Sequence, residues 1–327
     1  MMEAKIIHWG IIGVGNVCEV KSGPAYQKTN GFSLKSVMRR DLSKAKDFAQ
    51  RHGVEKFTDD ADELINDPEI DAVYIATPPQ HHLAYALKVA DANKICCVEK
   101  PMAVNFEECK KMLSAFEDRG LPLFVAYYRR SLPRFLQIKA WIDQEKIGKI
   151  RHIHWSFCQP PYPALDHPDF YNWRTDKKIA PGGYFDDLAS HGLDLFYFLL
   201  GEVESAAGQT ANQQNSYSAA DAIAGTWKHR SGVTGSGFWN FSTWEKKDLV
   251  EILGDQGTIT FAVFKDEPVQ LKTEKEQLSL NIEHPTHIQH YHVKGMRDQL
   301  LKGIPYASTG KSVLHTAWIM DKILGNL

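Results

Sequence analysis

Short apolar runs alternate with segments of helical periodicity through the first third of the chain. The runs Ile6 to Ile12, Phe32 to Met38, Ala72 to Ala76, Ile95 to Val98 and Leu123 to Ala126 have the length and flanks of buried strands. Between them, Leu42 to His52, Ala61 to Asn66, His82 to Asn93 and Phe106 to Arg119 repeat their apolar side chains at the spacing of one helix face. This alternation predicts a doubly wound, parallel α/β sheet of the Rossmann kind for residues 1–126.

The pattern changes near Tyr127 and Tyr128. A helix is predicted from Pro133 to Glu145. Longer alternating strands follow, such as Ile150 to Phe157, Ala222 to Lys228 and Gly235 to Phe241, with turn signals at Arg230-Ser231-Gly232 and Asp255-Gln256-Gly257. Helices near Ile288 to Leu301 and Ser312 to Leu324 close the chain. Residues 127–327 should therefore form an α+β domain with a large, mostly antiparallel, open-faced sheet. Trp155, Trp227 and Trp239 fall on its strands and are expected to make the open face apolar, suited to burial against a second copy in a homodimer or homotetramer.

Composition narrows the functional classes. The chain has 327 residues, 43% of them apolar and 24% charged, which fits a globular protein of two domains. A formal net charge of −2, with acids and bases interspersed, offers no field for a nucleic acid. No apolar run reaches the roughly 18 to 20 residues that span a bilayer, and the start lacks a signal-peptide layout, so no membrane partner and a cytoplasmic location are expected. The cysteines Cys18, Cys96, Cys97, Cys109 and Cys158 are odd in number and read as reduced packing residues. His284, His287, His290 and His292 crowd one stretch, but their spacing drifts around a helix and no acid or thiol completes a set, so no metal is expected.

The first strand runs into Gly13-Val14-Gly15-Asn16-Val17-Cys18, a Gly-x-Gly-x-x-Gly turn with cysteine in the last place. Such a turn lets the backbone approach a pyrophosphate, although a glycine turn after a strand is often only a turn. The second strand ends in Arg39-Arg40-Asp41. Two guanidiniums there suit the 2′-phosphate of NADP, and Asp41 keeps NAD as the alternative cofactor. Solvated surface arginines are the competing reading.

Two further strand ends carry Thr77-Pro78-Pro79-Gln80-His81-His82 and Glu99-Lys100-Pro101. Later come Trp173-Arg174 and Pro181-Gly182-Gly183-Tyr184-Phe185-Asp186-Asp187-Leu188-Ala189-Ser190-His191. Asp187 and His191 lie four apart, so a helix would put both on one face, where histidine is the natural proton acceptor and the carboxylate its support. Taken alone, such a pair is more often a surface hydrogen bond. The aromatic stretch Tyr162 to Trp173 suits either a sugar-binding wall or loop packing.

In order and spacing these motifs resemble the glucose–fructose oxidoreductase/inositol dehydrogenase/MocA (Gfo/Idh/MocA) family over nearly the whole chain. Departures are Cys18, Pro79, Pro181, Phe185 and Ala189. The resemblance implies an NAD(P)-dependent dehydrogenase or reductase acting on a sugar, cyclitol or related polyol. It places Gly13, Gly15, Asn16, Val17, Arg39, Arg40, Thr77, Pro78, His82, Glu99, Lys100, Trp173 and Arg174 at the cofactor. Lys100, Asp187 and His191 would be catalytic, with Arg130 beside them at the substrate or else tying the domain hinge. Relatives also include cofactor-binding regulators without turnover and glycosidases that use tightly held NAD. The retained Lys100, Asp187 and His191 favour the dehydrogenase over the first, and Arg39 with Arg40 over the second.

Overall fold

The computed structural model describes residues 5–162 and 172–327, which cluster into two compact units. One holds the described chain up to Leu132 together with Pro285–Leu314, and the other Pro133–His284 with His315–Leu327. The segment 285–314, read above with the second half, thus belongs to the first unit.

In chain order the elements up to Leu132 are β1 (Ile7–Ile12), α1 (Asn16–Val20), α2 (Gly23–Gln27), β2 (Phe32–Met38), α3 (Leu42–His52), β3 (Lys56–Thr58), α4 (Ala61–Asn66), β4 (Ala72–Ile75), α5 (His82–Asp91), β5 (Ile95–Val98), α6 (Phe106–Glu117) and β6 (Leu123–Val125). Their six strands lie in the order β3-β2-β1-β4-β5-β6, all pairs parallel, as the alternation predicts. The order reverses between β1 and β4, so the carboxyl ends of these strands flank the crevice where doubly wound sheets bind ligands. Trp9 anchors the core beneath, 4.8 Å from the Tyr26 ring and 5.2 Å from that of Phe32.

The remaining elements are α7 (Pro133–Asp143), β7 (Ile150–Cys158), α8 (Tyr184–Leu200), β8 (Val203–Ala211), β9 (Ala222–His229), β10 (Thr234–Asn240), β11 (Lys247–Gly254), β12 (Gly257–Phe261), β13 (Val269–Thr273), β14 (Gln277–Leu280), α9 (His290–Lys302) and α10 (Gly310–Leu324). Helix α9 sends Val293 and Met296 into the core of the first unit. No described helix is long and apolar enough to cross a membrane.

The second unit carries an eight-stranded sheet ordered β14-β13-β12-β11-β7-β10-β9-β8, antiparallel except for the central β7–β10 pair. Its covered face corrects one expectation. Trp155, Trp227 and Trp239 are buried there rather than exposed on the open face. Trp155 and Trp227 pack on Phe196 of α8 at 5.6 and 6.0 Å, and Trp239 on Phe185 at 4.9 Å. Large apolar rings gain most by leaving water, so the alternation of β7, β9 and β10 turns them toward the helix. The opposite face presents His152, His154 and Ser156 instead, and their side chains form a ladder. The His152 ring sits 2.8 Å from Thr234 Oγ1 and 2.9 Å from Ser236 Oγ, and the His154 ring 2.8 Å from Ser236 Oγ and 2.9 Å from Ser156 Oγ.

Candidate active site

At the end of β1 the chain turns through Gly13, whose φ of +93° favours glycine. A side chain there would also meet Thr77 Cγ2 at 2.8 Å and Ala76 O at 3.0 Å, so the turn is seated against the end of β4. Gly15 differs, because the nearest atom to a Cβ placed on it is Gly13 O at 3.9 Å. That open space above a glycine backbone fits a phosphate group approaching Gly15, Asn16 and Val17 at the start of α1. Cys18 fills the third-glycine place fully buried, and burial pushes its thiol up to about 12, so it stays neutral and inert.

The two arginines after β2 occupy different settings. Arg39 Nη1 donates to Val14 O at 3.2 Å, which draws its guanidinium toward the glycine turn, while Arg40 is exposed. Asp41 caps α3: its Oδ1 accepts from Lys44 N at 3.1 Å and from the Ser43 hydroxyl at 2.6 Å. Those bonds, that of Ser43 foremost, hold its carboxyl down at about 2. The acid that would suit a ribose diol is therefore engaged at a helix N-terminus.

The ends of β4 and β5 are tied together by His82. Its Nε2 lies 2.7 Å from Thr77 O and its Nδ1 3.0 Å from Pro101 O, so the imidazole bridges the Thr77-Pro78 and Lys100-Pro101 segments. Burial pulls this ring below its ordinary value, and the facing carbonyls pull it back up. His82 thus shapes the strand ends from within. The Thr77 hydroxyl, by contrast, is a buried polar atom without a partner. Glu99 is held from three sides: the Tyr74 hydroxyl and Gln289 Nε2 donate to its Oε1, the latter at 2.7 Å, and the Lys100 backbone N–H donates to its Oε2 at 3.1 Å. Glu99 in turn fixes the backbone from which the Lys100 side chain departs.

In the second unit the candidate residues gather on the first two turns of α8. Gly183 precedes that helix with φ +65°, and a Cβ on it would stand 2.3 Å from Ala220 O, so glycine alone fits this entry. Asp187 and His191 are buried on one face of α8, one turn apart. The Phe264 ring meets the His191 imidazole edge to face at 5.6 Å. Asp248 secures Phe264 by accepting backbone N–H groups of Val263, Phe264 and Lys265 at 3.2, 2.6 and 3.3 Å. Arg174 Nε donates to Asp187 Oδ2 at 2.5 Å, and its guanidinium stacks 4.5 Å from the Trp173 ring centroid. Asn172 Nδ2 donates to the Tyr184 hydroxyl at 2.8 Å, a second link from this short 3₁₀ turn to α8. Of the aromatic stretch Tyr162 to Trp173, residues 163–171 lie outside the described residues. Tyr162 stacks on Tyr184 with ring centroids 4.1 Å apart.

A family model described as "Oxidoreductase family, NAD-binding Rossmann fold" matches residues 7–127, and the "GFO/IDH/MocA C-terminal domain" model matches residues 135–260. "Oxidoreductase P35" of Formosa agariphila is 41% identical over 88% of this chain and 88% of its own length. The chain belongs to the Gfo/Idh/MocA oxidoreductase family. It is an NAD(P)-dependent oxidoreductase. The levoglucosan dehydrogenase of Pseudarthrobacter phenanthrenivorans is 33% identical over 56% of this chain and 43% of that one. A solved structure of levoglucosan dehydrogenase with NADH and levoglucosan shares the fold, with a TM-score of 0.84 at 22% identity over 98% of this chain and 96% of that chain.

Other residues singled out in this Gfo/Idh/MocA chain are engaged elsewhere. The buried Arg130 donates from Nη1 to Ala307 O at 2.7 Å and to Ser312 Oγ at 3.1 Å, bonds that brace the 307–312 turn. The histidines near residue 290 diverge. His284 lies 3.4 Å from Arg134 Nη1, His287 2.7 Å from both Lys28 Nζ and Val20 O, and His292 2.7 Å from the Tyr306 hydroxyl. Tyr184, Asn172, Phe264, Asp248 and Gln289 were not among the sequence candidates. Only Tyr184 carried a signal, standing three residues before Asp187 on the same helix face.

Proposed function

We propose that this chain moves a hydride between NADP, with NAD as the weaker alternative, and a hydroxyl or carbonyl carbon of a sugar, cyclitol or related polyol. The observation that carries the reading is the set on α8, where a buried carboxylate with its own guanidinium stands one turn from a buried imidazole. The likeness to levoglucosan dehydrogenase supports a carbohydrate-like substrate.

The turn at Gly13 and Gly15, with Asn16 and Val17, would hold the pyrophosphate, Arg39 and Arg40 the 2′-phosphate, and Thr77, Pro78, His82, Glu99 and Lys100 the nicotinamide end. The orphaned Thr77 hydroxyl and the open space over Gly15 fit such a ligand. The family resemblance also counts Trp173 and Arg174 with the cofactor. When bound, the nicotinamide supplies or accepts the hydride.

His191 takes the proton of the reacting hydroxyl at an imidazole nitrogen, or returns it in the reverse direction. Asp187 binds the same substrate region and stabilises the imidazolium that forms. The ammonium of Lys100 stabilises charge developing on the substrate oxygen. Phe264 keeps water from one side of the imidazole, which strengthens these interactions. A screen of the purified protein with NADP and NAD against sugars, cyclitols and dihydrodiols, followed by nicotinamide absorbance, tests the reading. No turnover across the whole panel would defeat it.

The open face of the eight-stranded sheet is proposed as the site of self-association, with Phe238 and Leu253 among the side chains it exposes. A dimeric or tetrameric mass at micromolar concentration is expected, and a monomeric one refutes this.

A further inference from the structure

We infer that Arg174 is a positioning residue for Asp187, fixing the orientation and the charge of that carboxylate for its exchange with His191 and substrate. The inference rests on the assignment of Asp187 made above.

The Arg174 Nε to Asp187 Oδ2 bond, at 2.5 Å, joins side chains that are 30% and 10% exposed. Exposed ion pairs contribute little, because water screens them and two long side chains must be ordered to make them. Here both costs are reduced. Most of the pair is out of water, and the guanidinium is already held by stacking on the buried Trp173. The backbone of Arg174 is held too, since its N–H donates to Asn172 Oδ1 at 3.3 Å while Asn172 Nδ2 grips the Tyr184 hydroxyl. Tyr184 stands three residues before Asp187 on α8. Helix and 3₁₀ turn therefore close a ring, and the guanidinium is the member that reaches the carboxylate.

Among the described residues, the ionisable groups beside Asp187 include Arg174 from the turn and Tyr184 and Asp186 from α8 itself, with His191 one turn further along that helix. Asp186 does not compete for the guanidinium's charge: buried, it accepts from Gly182 N at 2.9 Å and holds its proton near neutral pH. The positive charge of Arg174 acts on Asp187. A planar guanidinium with a directed Nε–H also sets the carboxylate's rotation, which an ammonium in the same place would do poorly.

The resemblance to family motifs instead assigns Arg174 to the cofactor, and one experiment separates the two roles. Arg174→Ala and Arg174→Lys are made in the full chain, and the affinity for NADP is measured by fluorescence titration. Turnover is measured at saturating cofactor on a substrate from the screen, with and without added guanidinium chloride at millimolar concentration. The Asp187 carboxyl is followed by carbon NMR, its signal assigned through Asp187→Asn. Expected for Arg174→Ala are a cofactor affinity within about threefold of wild type and a kcat lower by about 10²-fold, the scale of a misplaced reacting group. Guanidinium should recover at least about tenfold of that loss, and the Asp187 signal should titrate at higher pH than in wild type. Arg174→Lys should fall between and guards against a variant that does not fold. An NADP affinity weakened more than about tenfold, with the Asp187 titration unmoved, overturns the inference and returns Arg174 to the cofactor. Wild-type protein inactive on every substrate would fail the function proposed above, and the NMR titration would still decide the role of Arg174.

Discussion

Asp186 and Asp187 follow one another on the first turn of α8, yet their carboxyls have different partners: Gly182 N–H donates to Asp186 Oδ2 at 2.9 Å, and the Arg174 guanidinium to Asp187 Oδ2 at 2.5 Å. Burial pushes Asp186 up to about 8, the Gly182 bond opposes this, and the charges of Asp321 and Asp187 add to the rise. Divergent surroundings thus set two adjacent acids apart: one keeps its proton near neutral pH and the other pairs with a guanidinium.

Stability should depend on that buried proton. Between the ordinary aspartate value of about 4 and about 8, the folded chain keeps a proton on Asp186 that the unfolded chain has released. Stability therefore falls as pH rises through this window and levels off above it. Asp186→Asn keeps an acceptor for Gly182 N–H and carries no charge. Its stability relative to wild type should be higher at pH 8 than at pH 5 by roughly 2 to 4 kcal/mol, since each tenfold difference in proton affinity between folded and unfolded chain is worth about 1.4 kcal/mol. Urea denaturation at the two pH values measures the gap, and a gap independent of pH would contradict the assignment.

NADP should bind more than about tenfold tighter than NAD, because each charge-assisted hydrogen bond from Arg39 or Arg40 to a 2′-phosphate contributes about 1.5 to 3 kcal/mol. The capping role of Asp41 strengthens this expectation, since its carboxylate is bonded to Ser43 and Lys44. Arg39→Asp should move the balance toward NAD. Equal dissociation constants by calorimetry would remove the basis for the preference.

Gly192→Ala should destabilise the second unit. On an open helix face alanine gains about 1 kcal/mol over glycine. At residue 192, however, a Cβ would stand 2.3 Å from Trp155 Cζ3 and 2.6 Å from its Cη2, atoms of a ring clamped by Asp248 through Nε1 at 3.0 Å. Overpacking against such a ring costs about 1 to 3 kcal/mol, so the clash outweighs the propensity. Thermal denaturation should show a lower Tm than wild type, and an unchanged or higher one would mean that β7 and α8 separate easily.

Much of the first unit was legible because its strands are buried on both faces and so read as continuous apolar runs. β2, α3, α4 and β5 fall on their predicted spans. β3 did not, being three residues at a sheet edge, too short for any period to register. β8 was missed for another reason: from Glu204 to Ala211 only Ala206 is partly covered, so the strand shows no alternation of burial. The alternation of β7 was legible, and the misreading lay in which face it buries. His152, His154 and Ser156 are one set and Ile153, Trp155 and Phe157 the other; the tryptophan side goes to the helix because burial of large rings drives the packing. At the site, motif residues were readable one by one, while their partners were not. Arg174 reaches Asp187 from a turn 13 residues away, and Gln289 reaches Glu99 across 190 residues, separations that no helical or strand period links.

The two halves of the proposed chemistry should fail differently when cut. His191 belongs to α8 of the second unit and is assigned the proton, so His191→Ala should lower kcat by about 10² to 10⁴-fold and leave cofactor affinity nearly unchanged. Lys100 follows Glu99 at the end of β5 and is assigned to both ligands, so Lys100→Ala should weaken NADP binding as well as slow turnover. Asp187→Asn keeps the shape and the acceptor oxygen for Arg174 but removes the charge that supports an imidazolium. Its loss should fall on kcat and be accompanied by a changed pH profile. The comparison requires kcat, KM and cofactor affinity for all three variants on one confirmed substrate. If His191→Ala kept near-full activity, the proton would have to be reassigned to another group, Lys100 first, because its ammonium can itself exchange a proton with the substrate oxygen.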